Sequence, residues 1–168
     1  LCPADPSATD GHVLAGCVAT DMAQIMNYWE HPTRGSGTYS YTPQSHQEYG
    51  MQFADFRNTN YDWDHMKNVY SRGYSDAEAN AVATLVYHCG VSVDMDYGPE
   101  VSTASTQKVP VALNTYFDYS DNMNLKQKSY ITNNGSVHVI YTDAQWRSML
   151  KTELNAHRPL YYSGGYYI

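Results

Sequence analysis

The segment from Cys17 to Trp29 constrains the fold of this chain more than any other. Apolar side chains recur there with the spacing of one helical face, at Val18, Met22, Ile25, Met26 and Trp29. Alanines at positions 19 and 23 widen that face, so the helix is expected to be buried. Residues 1–16 are rich in Pro, Asp and Gly, which predicts an irregular loop before it. Pro32 and two glycines soon after mark its end.

A second helix is marked by Ser75 and Glu78, which have the spacing of a capping box. Its expected apolar face consists of Ala79, Val82, Leu85, Val86 and Cys89. Gly90 is the predicted stop, followed by a strand from Val91 to Met95 and a turn at 97–99. Residues 35–62 are predicted to be irregular, with short extended pieces around Thr38–Thr42.

Two further helices are predicted in the second half of the chain. The first covers Val109–Phe117, and the second opens with a capping box made by Thr142 and Gln145. The second is expected to turn four side chains inward, namely Trp146, Met149, Leu150 and Leu154. Pro159 ends it and Leu160–Tyr162 begins a strand. Helices first and strands later indicate an α+β architecture.

Composition narrows the function classes. The 168 residues are 42% apolar and 16% charged, which predicts a folded domain. A net charge of −7 without a basic cluster argues against nucleic acid or an anionic membrane as a partner. Three cysteines leave at least one thiol free, and neither cysteine nor histidine spacing supports a metal site or a cofactor. No signal segment opens the chain, so any export signal is expected to have been removed. The 17 tyrosines favour either broad contact faces or a tyrosine-rich packed sheet.

Cys17 directly follows Gly16 and begins the first predicted helix. Helix N-termini present unpaired backbone N–H groups and partial positive charge, which favour a thiolate over a thiol. The same N–H groups can hold the oxyanion of a tetrahedral intermediate. Cysteine is also among the residue types most often buried. Spacing alone therefore leaves two interpretations, a nucleophile or a small core residue.

Several blocks of the sequence resemble one known family in order and spacing. They are Gly16-Cys17-Val18-Ala19-Thr20 with the helix that follows, Tyr61-Asp62-Trp63-Asp64, Ser92-Val93-Asp94-Met95-Asp96-Tyr97-Gly98-Pro99, and Arg158-Pro159-Leu160-Tyr161-Tyr162. Together these blocks resemble the streptopain family of papain-like bacterial cysteine proteases, and the resemblance covers nearly the whole chain. It implies that residues 1–168 are part of one papain-like peptidase domain, with a cysteine-bearing helix packed against a twisted antiparallel sheet.

The resemblance also implies site residues and partners. Cys17 corresponds to the nucleophile, and Ser102, Thr103 and Gly164 fall in segments that contact substrate. The implied substrates are polypeptides with a hydrophobic side chain two residues before the scissile bond (P2). Members are secreted as zymogens that an N-terminal prosegment inhibits, so the protein is expected to be extracellular.

The match fails where the family carries its catalytic histidine, in a Gly-Gly-His block after the Tyr-Tyr-x-Gly strand. Here Tyr161-Tyr162-Ser163-Gly164 is followed by Gly165-Tyr166-Tyr167-Ile168. Either the domain is truncated, or residues between Gly164 and Gly165 are missing, since 165–168 resembles a later strand. An inactive fragment or a non-catalytic peptide- or glycan-binding module is therefore the alternative to an active enzyme.

None of the seven histidines occupies the motif position. His12 and His46 are expected in loops, and His31, His65 and His157 in solvated connections or helix ends. His88 is predicted at a helix end, where a cation is favourable. His138, in an apolar run, is the only strand candidate for pairing with Cys17.

Asp21 lies one helical turn after Cys17, where the family usually has alanine. A carboxylate so close would raise the thiol pKa. Alternatively, Asp21 meets a polar or solvated partner and leaves the thiol unaffected.

Overall fold

A computed structural model describes residues 1–123 and 125–164. The chain divides into two compact units, Leu1–Asn122 and Met123–Ile168. Within the described residues there are four α-helices and two antiparallel sheets of two strands each. The predicted α+β class is therefore confirmed.

The first unit contains three of the helices and one sheet. Helix α1 spans Cys17–Trp29, α2 spans Asp76–Ser92 and α3 spans Val109–Phe117. Strand β1, Thr38–Tyr41, pairs antiparallel with β2, Gln52–Asp55. The sequence predicted α1, α3 and the extended piece at β1. It missed β2, which lies in the stretch predicted to be irregular.

Helix α1 packs against α2 in the core of this unit. Its buried residues are Val18, Ala19, Met22, Ala23 and Met26. The Sγ of Cys89 on α2 lies 3.6 Å from the Sδ of Met26. Ile25 is half-buried and Trp29 is exposed, so the predicted apolar face is confirmed at its centre and wrong at its C-terminal end.

Helix α2 begins as predicted, with a complete capping box between Ser75 and Glu78. Its buried face differs from the predicted one and consists of Ala81, Leu85, His88, Cys89, Gly90, Val91 and Ser92. Of the predicted face only Leu85 and Cys89 are buried, because the helix presents positions 81, 85, 88 and 92 to the core.

The predicted stop at Gly90 and strand at Val91–Met95 are wrong. The helix continues to Ser92, and Asp94 takes the left-handed conformation, with φ 51°. The N–H of Met95 donates to the carbonyl of Gly90 (3.0 Å), and that of Asp94 to Val91 (3.2 Å), the pattern of a Schellman end. Gly90 is required for another reason. A Cβ there would stand 2.3 Å from the hydroxyl of Tyr97.

The second unit contains β3, Ser129–Ile131, paired antiparallel with β4, Val137–Val139, and α4, Asp143–Asn155. The capping box at Thr142 is present, as predicted. Of the four side chains expected to face inward, Leu154 is 58% exposed and the other three are half-buried. Residues 160–162 form no strand in the described part of the chain, contrary to the prediction. The strand resemblance at 165–168 lies outside the described residues.

Candidate active site

Cys17 is the first residue of α1, and its side chain is exposed while the helix behind it is buried. Gly16 is the N-cap, and no side chain caps this helix end. The carbonyl of Gly16 already accepts from the backbone N–H of Thr20 (3.1 Å) and from its hydroxyl (3.0 Å). The N–H groups of the first helical turn have no acceptor within the helix, and no side chain caps them. This is the electropositive setting that the sequence predicted for a nucleophile.

Gly16 has a conformation and a space that only glycine fits. Its φ is 86°, in the left-handed region. A Cβ would lie 2.7 Å from the Sδ of Met95, 2.8 Å from its Cε, and 3.2 Å from the carbonyl oxygen of Ser102. The turn that presents Cys17 is thus seated directly on residues 95 and 102.

The segment 95–103 forms a short antiparallel bridge next to this turn. Asp96 and Thr103 exchange two backbone hydrogen bonds, of 2.8 and 3.1 Å. The carboxylate of Asp96 accepts from the backbone N–H (2.8 Å) and hydroxyl (2.6 Å) of Ser45, which lowers its pKa. The hydroxyl of Tyr41 donates to the carbonyl of Met95 (2.6 Å). These contacts fix the segment to the β1 side of the unit.

Asp94, at the end of α2, makes further hydrogen bonds just before this segment. Its carboxylate accepts from the hydroxyl of Tyr39 and from Nζ of Lys108, each at 2.6 Å. The hydrogen bond to Asp94 raises the pKa of Tyr39 to about 12. The phenol therefore stays protonated as a donor at any physiological pH.

Ser102, expected to contact substrate, is 4% exposed. Its hydroxyl donates to the carbonyl of Leu14 (2.6 Å) and accepts from the N–H of Gly98 (3.1 Å). Thr103 is exposed, and its backbone N–H and C=O are both bonded to Asp96. The structure brings the Cys17 turn, Ser102 and Thr103 into one neighbourhood. Gly164 is exposed in the second unit, and its substrate role stays a prediction.

The three cysteines are all free thiols in different environments. Burial raises the pKa of Cys89, which is fully enclosed, and that of Cys2, which is partly enclosed. Cys17 is the exposed one. The interpretation of Cys17 as a small core residue is therefore wrong, since it is exposed and the buried residues of α1 begin at Val18.

His88 is placed differently from the sequence expectation. It is 7% exposed, its Nδ1 lies 3.0 Å from the hydroxyl of Tyr61, and burial lowers its pKa to about 4. It is therefore a neutral core residue and not a helix-end cation.

The other histidines of the first unit lie in loops, except His65, which is the last residue of a short 3₁₀ helix, Trp63–His65. His31, expected to be solvated, is half-buried and contacts the carbonyl of Asp118. His46 and His65 each pair with a nearby carboxylate, and His12 is exposed. Among the described residues of this unit, no histidine is hydrogen-bonded to Cys17. His138 does lie on a strand, in the second unit.

Asp21 is half-buried, and its influence on Cys17 stays a prediction. No group of His, Cys, Asp and Glu within residues 1–123 and 125–164 could hold a metal ion. No helix in the described part of the chain is long and apolar enough to cross a membrane.

Sequence reasoning missed two contributors to this neighbourhood, Leu14 and Met95. Met95 lies inside the block that carried the resemblance, but its contact with Gly16 has no local sequence signal. Leu14 lies in a loop, and its carbonyl becomes relevant only through a residue far along the chain.

Comparisons with known proteins point to one family. The model of the Peptidase C10 family matches residues 1–167. Streptopain of Streptococcus pyogenes serotype M28 is 34% identical over 96% of this chain and 39% of its own length. The thiol protease/hemagglutinin PrtT of Porphyromonas gingivalis is 29% identical over 98% of the chain and 17% of its own length. The chain thus spans less than half the length of these curated relatives.

Solved structures show the same relationship. Active interpain A of Prevotella intermedia, a cysteine protease, superposes with a TM-score of 0.76 at 38% identity, over 94% of this chain and 60% of that one. A prointerpain A fragment of the same organism superposes with a TM-score of 0.75 at 37% identity, over 94% of this chain and 46% of that one. The predicted papain-like α+β fold is confirmed. With the family model matching almost every residue, the chain belongs to the Peptidase C10 family, as its resemblance to streptopain predicted.

Proposed function

We propose that this chain carries the nucleophile-bearing part of a cysteine endopeptidase active site, with Cys17 as the attacking thiol. One observation carries the proposal. Cys17 is an exposed thiol at the uncapped N-terminus of a buried helix, on a turn that contacts segment 95–103. Membership of a family with named thiol proteases supports it.

In the proposed reaction the thiolate of Cys17 attacks the carbonyl carbon of a peptide bond. The oxyanion that forms lies near the uncapped N–H groups at the start of α1, which stabilise negative charge there. The C–N bond then breaks, the leaving amine takes a proton from a general acid, and a thioester joins the acyl part to Cys17. Water hydrolyses that thioester and regenerates the thiol. The family resemblance implies that a histidine donates this proton. No histidine of this chain is assigned that role.

Substrate contacts are proposed along the exposed edge of segment 95–103. Since both backbone groups of Thr103 are already bonded to Asp96, its side chain is the part that faces a substrate. Val101, two residues earlier, is 64% exposed and apolar. This is consistent with a preference for hydrophobic P2 residues, and Gly164 is proposed as a further contact. Secretion, and inhibition by an N-terminal prosegment, are proposed from the family and from the prointerpain A neighbour.

The test is the site of alkylation by an epoxysuccinyl peptide, followed by peptide mass spectrometry. The expected result is modification of Cys17 at least about tenfold faster than Cys2, a difference of ~1.4 kcal/mol in activation free energy, and none at buried Cys89. Cys2 and Cys89 serve as internal controls because burial raises the pKa of both.

Cys17→Ala is the matched variant. It removes one exposed sulfur atom and is expected to abolish the fast labelling without changing the melting temperature. Equal labelling of Cys17 and Cys2 would contradict a selectively activated nucleophile. Peptide binding that survives Cys17→Ala, with no cleavage by the unsubstituted chain, would instead indicate the non-catalytic binding module.

A further inference from the structure

The buried hydroxyl of Ser102 is the feature of this site whose role remains to be explained. Ser102 is 4% exposed, so its side chain is closed off from a bound peptide. The hydroxyl has a single hydrogen, and its shorter contact is to the carbonyl of Leu14 at 2.6 Å, while the carbonyl of Gly98 lies at 3.4 Å. It accepts from the N–H of Gly98 at 3.1 Å. Its hydrogen-bonding capacity is therefore spent within the protein.

The two partners of this hydroxyl belong to different parts of the site. Leu14 lies three residues before Cys17, in the loop that leads to the nucleophile. Gly98 lies in the tight turn of segment 95–103, where a Cβ would meet the carbonyl of Val101 at 2.6 Å. One side chain thus joins the loop that positions the thiol to the segment that borders it.

The backbone of Ser102 adds a second contact to the same loop. Its carbonyl oxygen lies 3.2 Å from the position that a Cβ of Gly16 would occupy. The next residue, Thr103, is exposed and is held by its two backbone bonds to Asp96. Any displacement of residue 102 relative to Leu14 therefore changes the separation between Cys17 and the Thr103 edge.

We propose that Ser102 is a positioning residue whose buried hydroxyl sets the Cys17 loop at a fixed distance from the substrate-facing edge at Thr103. This inference rests on the proposed function. In this proposal Ser102 does not contact the substrate directly. It acts indirectly, through the positions of Cys17 and Thr103. Removing the hydroxyl leaves the carbonyl of Leu14 and the N–H of Gly98 without their partner, so both segments shift towards other partners.

The experiment compares Ser102→Ala with Ser105→Ala. Ser105 is exposed, lies in the same stretch and makes no side-chain cap bond to the short helix it precedes. Two rates of Cys17 modification are measured for each protein by peptide mass spectrometry. Iodoacetamide is small and reports on the thiol alone. An epoxysuccinyl peptide must also lie along the Thr103 edge.

In Ser102→Ala the epoxysuccinyl rate is expected to fall about tenfold while the iodoacetamide rate stays within about twofold, and Ser105→Ala is expected to change neither. A role in folding stability alone would lower the melting temperature and leave the ratio of the two rates unchanged. An unchanged ratio in folded Ser102→Ala would overturn the proposal.

Two further comparisons keep the test decisive. If Ser102→Ala is unfolded at the assay temperature, Gly98→Ala replaces it, because a Cβ there displaces the same turn, and the same change of ratio is expected. An unchanged ratio in that variant would also overturn the proposal. Failure of the proposed function is separate, since it appears in the unsubstituted chain as equal labelling of Cys17 and Cys2.

Discussion

Acidification is expected to destabilise this protein through His88, a buried histidine that the proposed chemistry does not use. Its imidazole is 7% exposed, lies 3.0 Å from the hydroxyl of Tyr61 and packs edge-on against Phe56, with ring centres 5.2 Å apart. Burial raises the pKa of Tyr61, so the phenol stays protonated and the neutral imidazole is its acceptor. Burial lowers the pKa of His88 to about 4, and the nearby carboxylate of Asp55 offsets only part of that effect.

The direction and the size of this pH effect on stability follow from proton linkage. The pKa of His88 falls from 6.5 to about 4 on folding, so the unfolded chain binds the proton more tightly. The contribution of the neutral imidazole to stability is complete above pH ~6.5 and is lost progressively as the pH falls towards 4. Between about pH 7.5 and about pH 5 the expected loss is ~2 kcal/mol in the free energy of unfolding.

The assay is urea denaturation at those two pH values for the unsubstituted chain, His88→Gln and His12→Gln. Glutamine retains an acceptor for Tyr61 but does not titrate, so the ~2 kcal/mol pH-dependent loss should largely disappear in His88→Gln. His12 is exposed, and His12→Gln should keep the full loss. A loss of stability on acidification as large in His88→Gln as in the unsubstituted chain would refute a role of His88 in the pH effect.

Two glycine substitutions test the packing that holds the site. Gly16→Ala should lower the free energy of unfolding by about 1–3 kcal/mol and slow the alkylation of Cys17. The reason is that φ at Gly16 is 86° and that the new Cβ would lie 2.7 Å from the Sδ of Met95. An unchanged alkylation rate would contradict this prediction. Gly90→Ala should also destabilise by about 1–3 kcal/mol despite the better helix propensity of alanine, because the Cβ would stand 2.3 Å from the hydroxyl of Tyr97. Asn80→Ala, on the exposed side of the same helix, is the control and should be neutral or slightly stabilising in urea denaturation.

Structural features that depend on residues close together in the sequence were predicted correctly. The capping boxes at Ser75 and Thr142 each depend on a residue three positions later, and both are present. Helix α1 follows from the spacing of its own apolar residues. The position of Cys17 at its first residue followed from the same pattern, and the family resemblance assigned it the nucleophile role.

Features that depend on distant partners were not predicted. Gly90 resembled a helix stop, but it is needed for contact with Tyr97, and Asp94 ends the helix instead. His88 is neutral because folding encloses it with Tyr61, 27 residues away.

The same limit applies to Ser102. Its hydroxyl bonds to a carbonyl 88 residues earlier, and no local pattern of the sequence encodes that contact. The resemblance assigned Ser102 to a substrate-contacting segment, and the fold shows that its side chain is buried.

Cys17 is proposed as the nucleophile, and acyl transfer from a peptide p-nitrophenyl ester tests this role most directly. This ester acylates a thiolate with release of p-nitrophenolate, which needs no protonation of the leaving group. Mass spectrometry of digested protein is expected to find the acyl group as a thioester on Cys17, and to find none on Cys2 or Cys89. Cys17→Ala should give no acylated product. Acylation distributed over Cys2 and Cys17 at similar rates, or persisting in Cys17→Ala, would contradict the account.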